Sequence, residues 1–379
     1  MPESIGQRQA GNNDIITVDV RRTYSSKKEL ILQDIMDVEY IVLETNDDFL
    51  HQGHVMDIGK EIILVTNKIN DGDIFVYDRT GKALRKINRK GQGGEEYLWA
   101  SQIRLDENNG EMLVSDQMTR KIYVYDLFGN FKRSFNQNQS VTGSYIQKFN
   151  YDANNLICYN PFCEEIGFDV VSKKDGSITK EIKIPFVKKK TLSQNAPNPQ
   201  PGFFGPRTAV SPPNAVQTII PYYGNWILFE FSSDTIYQFL PDYGLRPLIV
   251  RTPSIQSMDP EIMLVLRLFS DRYFFFETIQ NTYDFSKDRG FPSKYIMYDK
   301  QEKNVFEYAL FNGDYSTKNE IHMTISRPVN HEITSWYTLN AYRLVEDYEK
   351  GVLKGRLKEI AARMDAEDNP VIMLIKHRK

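Results

Sequence analysis

Short runs that alternate apolar and polar residues recur along most of the chain, each five to seven positions long. A period of two puts successive side chains on opposite faces of an extended segment, so the pattern predicts strands. The runs also repeat as a group. Ile62-Ile-Leu-Val-Thr-Asn followed by Asp73-Ile-Phe-Val-Tyr-Asp78 and Gly81 returns as Met112-Leu-Val-Ser-Asp followed by Lys121-Ile-Tyr-Val-Tyr-Asp126 and Gly129, a spacing of 48 residues from Asp78 to Asp126 and from Gly81 to Gly129. Weaker copies follow at 166–176, 234–244 and 294–300. The Asp-x-x-Gly punctuation predicts a tight turn in which Asp accepts backbone hydrogen bonds and Gly supplies positive φ, so Asp78 and Asp126 read as structural residues.

A period near 45 residues holding about four short strands is the mark of a β-propeller blade. The expected fold is therefore all-β, a six-bladed β-propeller in one domain over 1–379. Its approximate blades are 51–95, 96–140, 143–186, 215–255, 262–312 and 319–340, about 46 residues each. Six blades fit the visible copies better than seven. Strands at 15–20 and 371–376 are expected to pair the two ends and remove the open edge. Residues 187–214 form a Pro-rich insert. Apolar positions at 341, 344, 345, 348, 352, 360, 361 and 364 have helical spacing, which predicts one helix over 341–364 packed on the flank, weakened at Gly351 and Gly355.

Composition changes this picture little. Lys and Arg total 47 against 50 Asp and Glu, a net charge of −3 that argues against nucleic acid as a partner. With 41% hydrophobic residues the chain is ordinary globular material, and no run approaches the roughly 18 apolar residues of a membrane span. Residues 1–10 lack the apolar core of a signal peptide, so no export signal is expected there. Cys158 and Cys163 read as two strand-associated thiols rather than a hairpin disulfide, because bridge geometry is restrictive.

Three stretches resemble a known family. Ile87-Asn-Arg-Lys-Gly-Gln-Gly-Gly-Glu-Glu-Tyr97 is similar to the inter-blade loop of NHL-type propellers. Asp365-Ala-Glu-Asp-Asn-Pro-Val-Ile-Met-Leu-Ile-Lys376 resembles the closing strand of six-bladed, NHL/TolB-like propellers of Bacteroides-type bacteria, and Ser233-Asp-Thr-Ile-Tyr237 fits a blade motif found there. The resemblance implies the propeller fold and a cell-envelope location, periplasmic or at the outer-membrane surface, often as a lipoprotein. The chain departs from it in showing neither a signal peptide nor a lipobox cysteine.

Catalytic signatures are sparse. Gly91-Gln-Gly-Gly94 lacks the Gly-Lys-Ser/Thr ending of a phosphate loop and runs into Glu95-Glu96, which repel phosphate. His51 and His54 stand three apart without a third ligand nearby, so no metal site is expected, and neither HExxH nor Gly-x-Ser-x-Gly occurs. The adjacent pairs Glu95-Glu96 and Glu164-Glu165 point to opposite faces if extended.

Topology carries the site argument. Connections from each outer strand to the next inner strand share one face around the channel mouth, and here they are 46–54, 87–99, 136–145, 186–214, 251–260 and 312–320. Among them Arg89, Lys90, Tyr97, Trp99, Phe203, Phe204 and Arg207 form the candidate ligand-binding set, since aromatics and Arg are common interface anchors. The expectation is a monomeric, non-catalytic propeller binding a protein, peptide or carbohydrate, with no cofactor. The alternative is a carbohydrate- or lactone-acting hydrolase or lyase with carboxylates and a divalent cation at the axis.

Overall fold

The computed structural model describes residues 15–378 apart from 25, 68, 138–144, 162, 164, 166, 196–207, 211–215 and 323–326. Among the described residues six β-sheets form the blades, and two short two-stranded sheets, Ser193–Asn195 with Thr208–Val210 and Tyr283–Asp284 with Arg289–Gly290, lie outside them. The first blade runs from the axis outward as His54–Ile58, Ile62–Thr66, Asp73–Asp78 and Ala83–Asn88, and the second as Ala100–Asp106, Glu111–Asp116, Lys121–Asp126 and Phe131–Asn136. Gln147–Asn150 opens the third blade and Ile178–Ile182 ends it. Ile219–Tyr222 to Leu245–Thr252 form the fourth, and Ile262–Phe269 to Asn304–Phe311 the fifth.

The repeated turn behaves as its residues require. Asp78 Oδ1 accepts hydrogen bonds from the Thr80 and Lys82 N–H groups at 2.8 and 3.0 Å, and Asp126 Oδ1 accepts from Phe128 and Asn130 at 2.8 and 2.9 Å. Gly81 and Gly129 hold φ of 90° and 86°, where a side chain is strained.

The core is divided into wedges. One hydrophobic cluster fills each junction between neighbouring blades, such as Val76 and Ile87 with Ile103 and Tyr123 between the first and second, or Phe149 and Ile157 with Trp226 and Phe239 between the third and fourth. The remaining junctions have their own clusters. This explains why every residue of Ile62–Thr66 is buried while Ala83–Asn88 alternates. A middle strand is covered on both faces by adjacent blades, and an outer strand keeps one face wet.

The N-terminal arm differs from the expectation. The strand foreseen at 15–20 forms as Ile16–Asp19, but it lies parallel to Leu245–Thr252 as a fifth, outermost strand of the fourth blade. Lys27–Ile31 does the same to Asn304–Phe311 in the fifth. Closure falls instead to Asp37–Val42, antiparallel to Val371–Lys376, which in turn pairs with Ile333–Leu339. Parallel pairing needs a partner distant in sequence, so local patterning could not assign it. The arm thus satisfies two exposed edges before it closes the ring.

Asn369 fastens that closure. Fully buried, it donates from Nδ2 to the Glu44 and Phe49 carbonyls at 2.9 and 2.6 Å and to the Tyr77 hydroxyl at 3.3 Å, while its Oδ1 accepts the His51 N–H at 3.0 Å. One side chain therefore joins the C-terminal strand, the N-terminal arm and the first blade.

The C-terminal helical region is present as two pieces, Ala341–Glu349 and Gly355–Ala361, inserted between Ile333–Leu339 and Val371–Lys376. Gly351 and Gly355 take φ of 68° and 55°, which breaks the single helix expected over 341–364. Leu344, Leu353, Leu357 and Ile360 pack with Val371 on the closing blade. Within the sixth blade, a turn at 329–333 is set by Asn330 Oδ1, which accepts the Ile333 N–H at 2.8 Å; of the blade expected at 319–340, residues 323–326 lie outside the described residues. Cys158 and Cys163 are not bridged.

Candidate functional site

The innermost strands have no sheet neighbour toward the axis, so their side chains line whatever space is left there. That space is a cavity of about 440 Å³. It opens on the face where outer strands cross to the next inner strand, because its wall includes His54, Ser101 and Gln147 at the beginnings of three inner strands. Arg327, Pro328 and Val329 complete the wall from the sixth blade, and Trp336 stands behind Arg327, whose guanidinium lies 4.6 Å from the indole centroid.

Two β-bulges shape the mouth. The ladder slips between Val55 and Asp57 in the first blade and between Ala100 and Gln102 in the second, leaving Met56 and Ser101 as extra residues. A bulge bends its strand and re-aims side chains. Met56 and Ser101, with His54, line both the axial cavity and a side pocket of about 230 Å³. Trp99, Ile69, Asn70 and Asp71 form the outer part of that pocket. The two cavities adjoin across this shared wall, from the axis to the gap between the first two blades, and together make the groove at the mouth.

Hydrogen bonds run across the blades beneath the mouth. Asp57 Oδ1 receives Arg104 at 3.2 Å, and its Oδ2 accepts the Leu105 N–H at 2.8 Å. Arg104 also donates from Nε to the Lys148 carbonyl and places its guanidinium 4.4 Å from the Phe149 centroid. Lys148 Nζ donates to the Tyr145 carbonyl at 2.7 Å and to Gln102 Oε1 at 3.3 Å. Gln147 spans to the fourth blade, donating to the Val216 carbonyl at 2.6 Å and accepting the Thr218 N–H at 2.9 Å. Burial pushes the Asp57 carboxyl above its ordinary range, opposed by Arg104 and two backbone amides. Burial likewise pulls the Lys148 ammonium down to about 8. Asp57 is the one carboxylate on this wall among the described residues, against the cations Arg104, Lys148 and Arg327.

The residues foreseen as a rim do not all meet. Trp99 does reach the groove and is 46% exposed. Lys90 flanks it, its ammonium bonded to the Asn70 carbonyl. Arg89 points elsewhere, donating from Nε to the Gly129 carbonyl at 2.7 Å beside a separate depression lined by Gly93, Glu95 and Glu96. Tyr97 is a correction: it is 0% exposed, stacks edge-on against Tyr125 and donates its hydroxyl to the Gly72 carbonyl at 2.7 Å. Its ring fills the wedge between two blades and is closed to a ligand. Phe203, Phe204 and Arg207 lie outside the described residues. The base of their insert is held by Lys189 on Glu230 at 2.9 Å and Lys190 on Glu261 at 2.7 Å.

Other sequence candidates resolve simply. Glu96 folds back so that its Oε2 accepts the Gly93 N–H at 2.8 Å, placing a carboxylate where a phosphate would sit. His51 Nε2 is 2.8 Å from the Tyr77 hydroxyl in the core, whereas His54 faces the groove, so the two imidazoles do not converge. Among the described residues no group of three or more His, Cys, Asp and Glu is placed to hold a metal ion. None of the described helices is long and apolar enough to cross a membrane. Gln102, Arg104, Gln147 and Lys148 were missed in the sequence; the available signal was polar residues at the start of each repeat's first strand, where the neighbouring strands are apolar.

Comparison with known proteins agrees with this architecture. Among solved structures, the chain is similar to a protein described as exported from Bacteroides fragilis NCTC 9343, with a TM-score of 0.60 and 15% identity over 97% of this chain and 100% of that one. It also aligns with a member of the DUF4221 family from Bacteroides vulgatus ATCC 8482, with a TM-score of 0.47 and 8% identity over 90% of this chain and 96% of that one. No curated protein matches. The family model DUF5128, described as a 6-bladed beta-propeller, matches residues 7–334, and the chain belongs to that family.

Proposed function

We propose that the protein is a non-catalytic binding propeller of the cell envelope that seats part of a protein, peptide or carbohydrate in the groove at its channel mouth. The observation that carries this reading is the pair of adjoining cavities that runs from Lys148 and Gln102 at the axis to Trp99 at the rim. It joins amides and cations that fix orientation to an exposed indole that supplies contact area, the usual division of labour in a binding site. The cationic wall gives no support to a hydrolase built on carboxylates and a divalent cation. Envelope location, lipidation and an NHL/TolB-like subtype rest on the family resemblance and on the exported character ascribed to the Bacteroides fragilis protein. The proposed working form is a monomer.

Glycan and peptide arrays probed with the full chain test the reading. A partner recovered there is expected to lose about tenfold or more in affinity with the double variant Trp99→Ala, Gln102→Ala, folded by circular dichroism. Unchanged affinity for every partner would remove the groove as the site.

A further inference from the structure

The axial cavity contains a charge that no described residue balances. Lys148 is 3% exposed, yet among the described residues its ammonium meets only the Tyr145 carbonyl and Gln102 Oε1. Among the described residues no carboxylate lies within ion-pair distance of it. Buried charges are ordinarily paired, because an isolated ammonium away from water is costly. Elsewhere this molecule follows that rule: Lys173 meets Asp106 at 2.8 Å, and Arg267 is paired with Glu277. The neighbouring Arg104 cannot lend its counter-charge, since Asp57 is already engaged by the guanidinium and by the Leu105 and Ile58 N–H groups. Lys148 is also one of the residues that line the axial cavity.

We infer that the axial cavity recognises a carboxylate-bearing small molecule or chain end, whose acid group docks on Lys148 beside Arg104. The Lys148 ammonium already donates two of its three hydrogens, to the Tyr145 carbonyl and Gln102 Oε1, which leaves one for an acid oxygen; a single such contact suits a carboxylate better than a phosphate, which takes several donors. Gln102, Gln117 and Gln217 on the same wall offer amides to hydroxyl or carbonyl groups next to the acid. Positive charge enclosed by low-dielectric walls also draws anions toward the mouth. This inference rests on the binding reading above and adds the chemical class of the ligand.

Glucuronate and glucose differ by one carboxylate and serve as probes, with inorganic phosphate as the third arm. By titration calorimetry on the full chain, glucuronate is expected to bind at one site at least about tenfold more tightly than glucose or phosphate. Lys148→Met, which keeps the volume and removes the charge, is expected to abolish that preference, and Lys148→Arg to retain most of it. The comparison of probes on the unaltered protein needs no variant and stands even if Lys148→Met does not fold. Equal binding of glucuronate and glucose, tighter binding of phosphate, no binding of glucuronate, or an unchanged preference in folded Lys148→Met would each overturn the inference. If array partners still lose affinity with Trp99→Ala, Gln102→Ala while glucuronate shows no preference, the binding reading survives and the carboxylate class falls.

Discussion

Replacing Asn369 by Ala removes the fastening of the propeller ring. The two Nδ2 hydrogens are shared among the Glu44 and Phe49 carbonyls and the Tyr77 hydroxyl, and Oδ1 accepts the His51 N–H. Each intact bond contributes a net ~1 kcal/mol, and each buried partner left alone loses its hydration as well. The Tyr77 hydroxyl keeps His51 Nε2 at 2.8 Å and the Glu44 carbonyl keeps that hydroxyl at 3.3 Å, so the Phe49 carbonyl and the His51 N–H are the groups orphaned. The expected loss is about 3–5 kcal/mol. For a chain of this length that lowers the melting temperature by about 5 °C. Denaturant titration and calorimetry measure it. Asn369→Asp keeps the shape and the acceptor for His51 but replaces the donor with an anion facing two carbonyls, so it is expected to cost at least as much as Ala. A loss below about 1 kcal/mol for Asn369→Ala, or Asp tolerated better than Ala, would refute the reasoning.

Three further outcomes follow from named contacts. Gly81→Ala is expected to be strongly destabilising, because a Cβ at φ of 90° would stand 1.9 Å from the Val42 carbonyl oxygen; Gly110→Ala, at φ of 61° with nothing within 4 Å, pays only the backbone strain and should cost clearly less in the same denaturant assay. Burial lowers His51 to about 4, below its ordinary value of 6.5, so the unfolded chain takes up the proton first as pH falls. The stability this group contributes is then complete above pH 6.5 and declines by up to about 3 kcal/mol toward pH 4; melting curves against pH should show the slope, and His51→Gln should make it shallower, leaving the part due to His377, which burial also lowers to about 4. Calcium and zinc are expected to leave the melting temperature unchanged, since the axial wall is cationic; a saturable upward shift would reopen the metal-dependent alternative.

The legibility of the chain follows the range of its interactions. Asp78 with Gly81 and Asp126 with Gly129 act within five residues, so the turn, the repeat and the blade could be read directly. The N-terminal arm could not, because Ile16 pairs with Ile249 and Lys27 with Glu307. Tyr97 misled for a related reason. A tyrosine in a glycine-rich loop looks exposed, but the loop folds back and its hydroxyl finds Gly72 on the preceding blade. The groove was hidden by its bulges: Met56 and Ser101 break the alternation that marks inward and outward positions, so the side chains around them have no face assignable from sequence. Trp99 lies at the rim of the groove, an exposed indole beside an inter-blade connection, a placement that its chemistry and position suggest directly.

The proposed partner seats at the channel mouth. Hydrogen–deuterium exchange of the full chain, with and without a saturating array-identified partner, tests this placement most directly. The predicted result is new protection at residues 54–57, 98–104 and 145–148, with the outer strands Ala83–Asn88 and Phe131–Asn136 unchanged. Protection confined to those outer strands or to the paired helices, with the mouth unaffected, would contradict it.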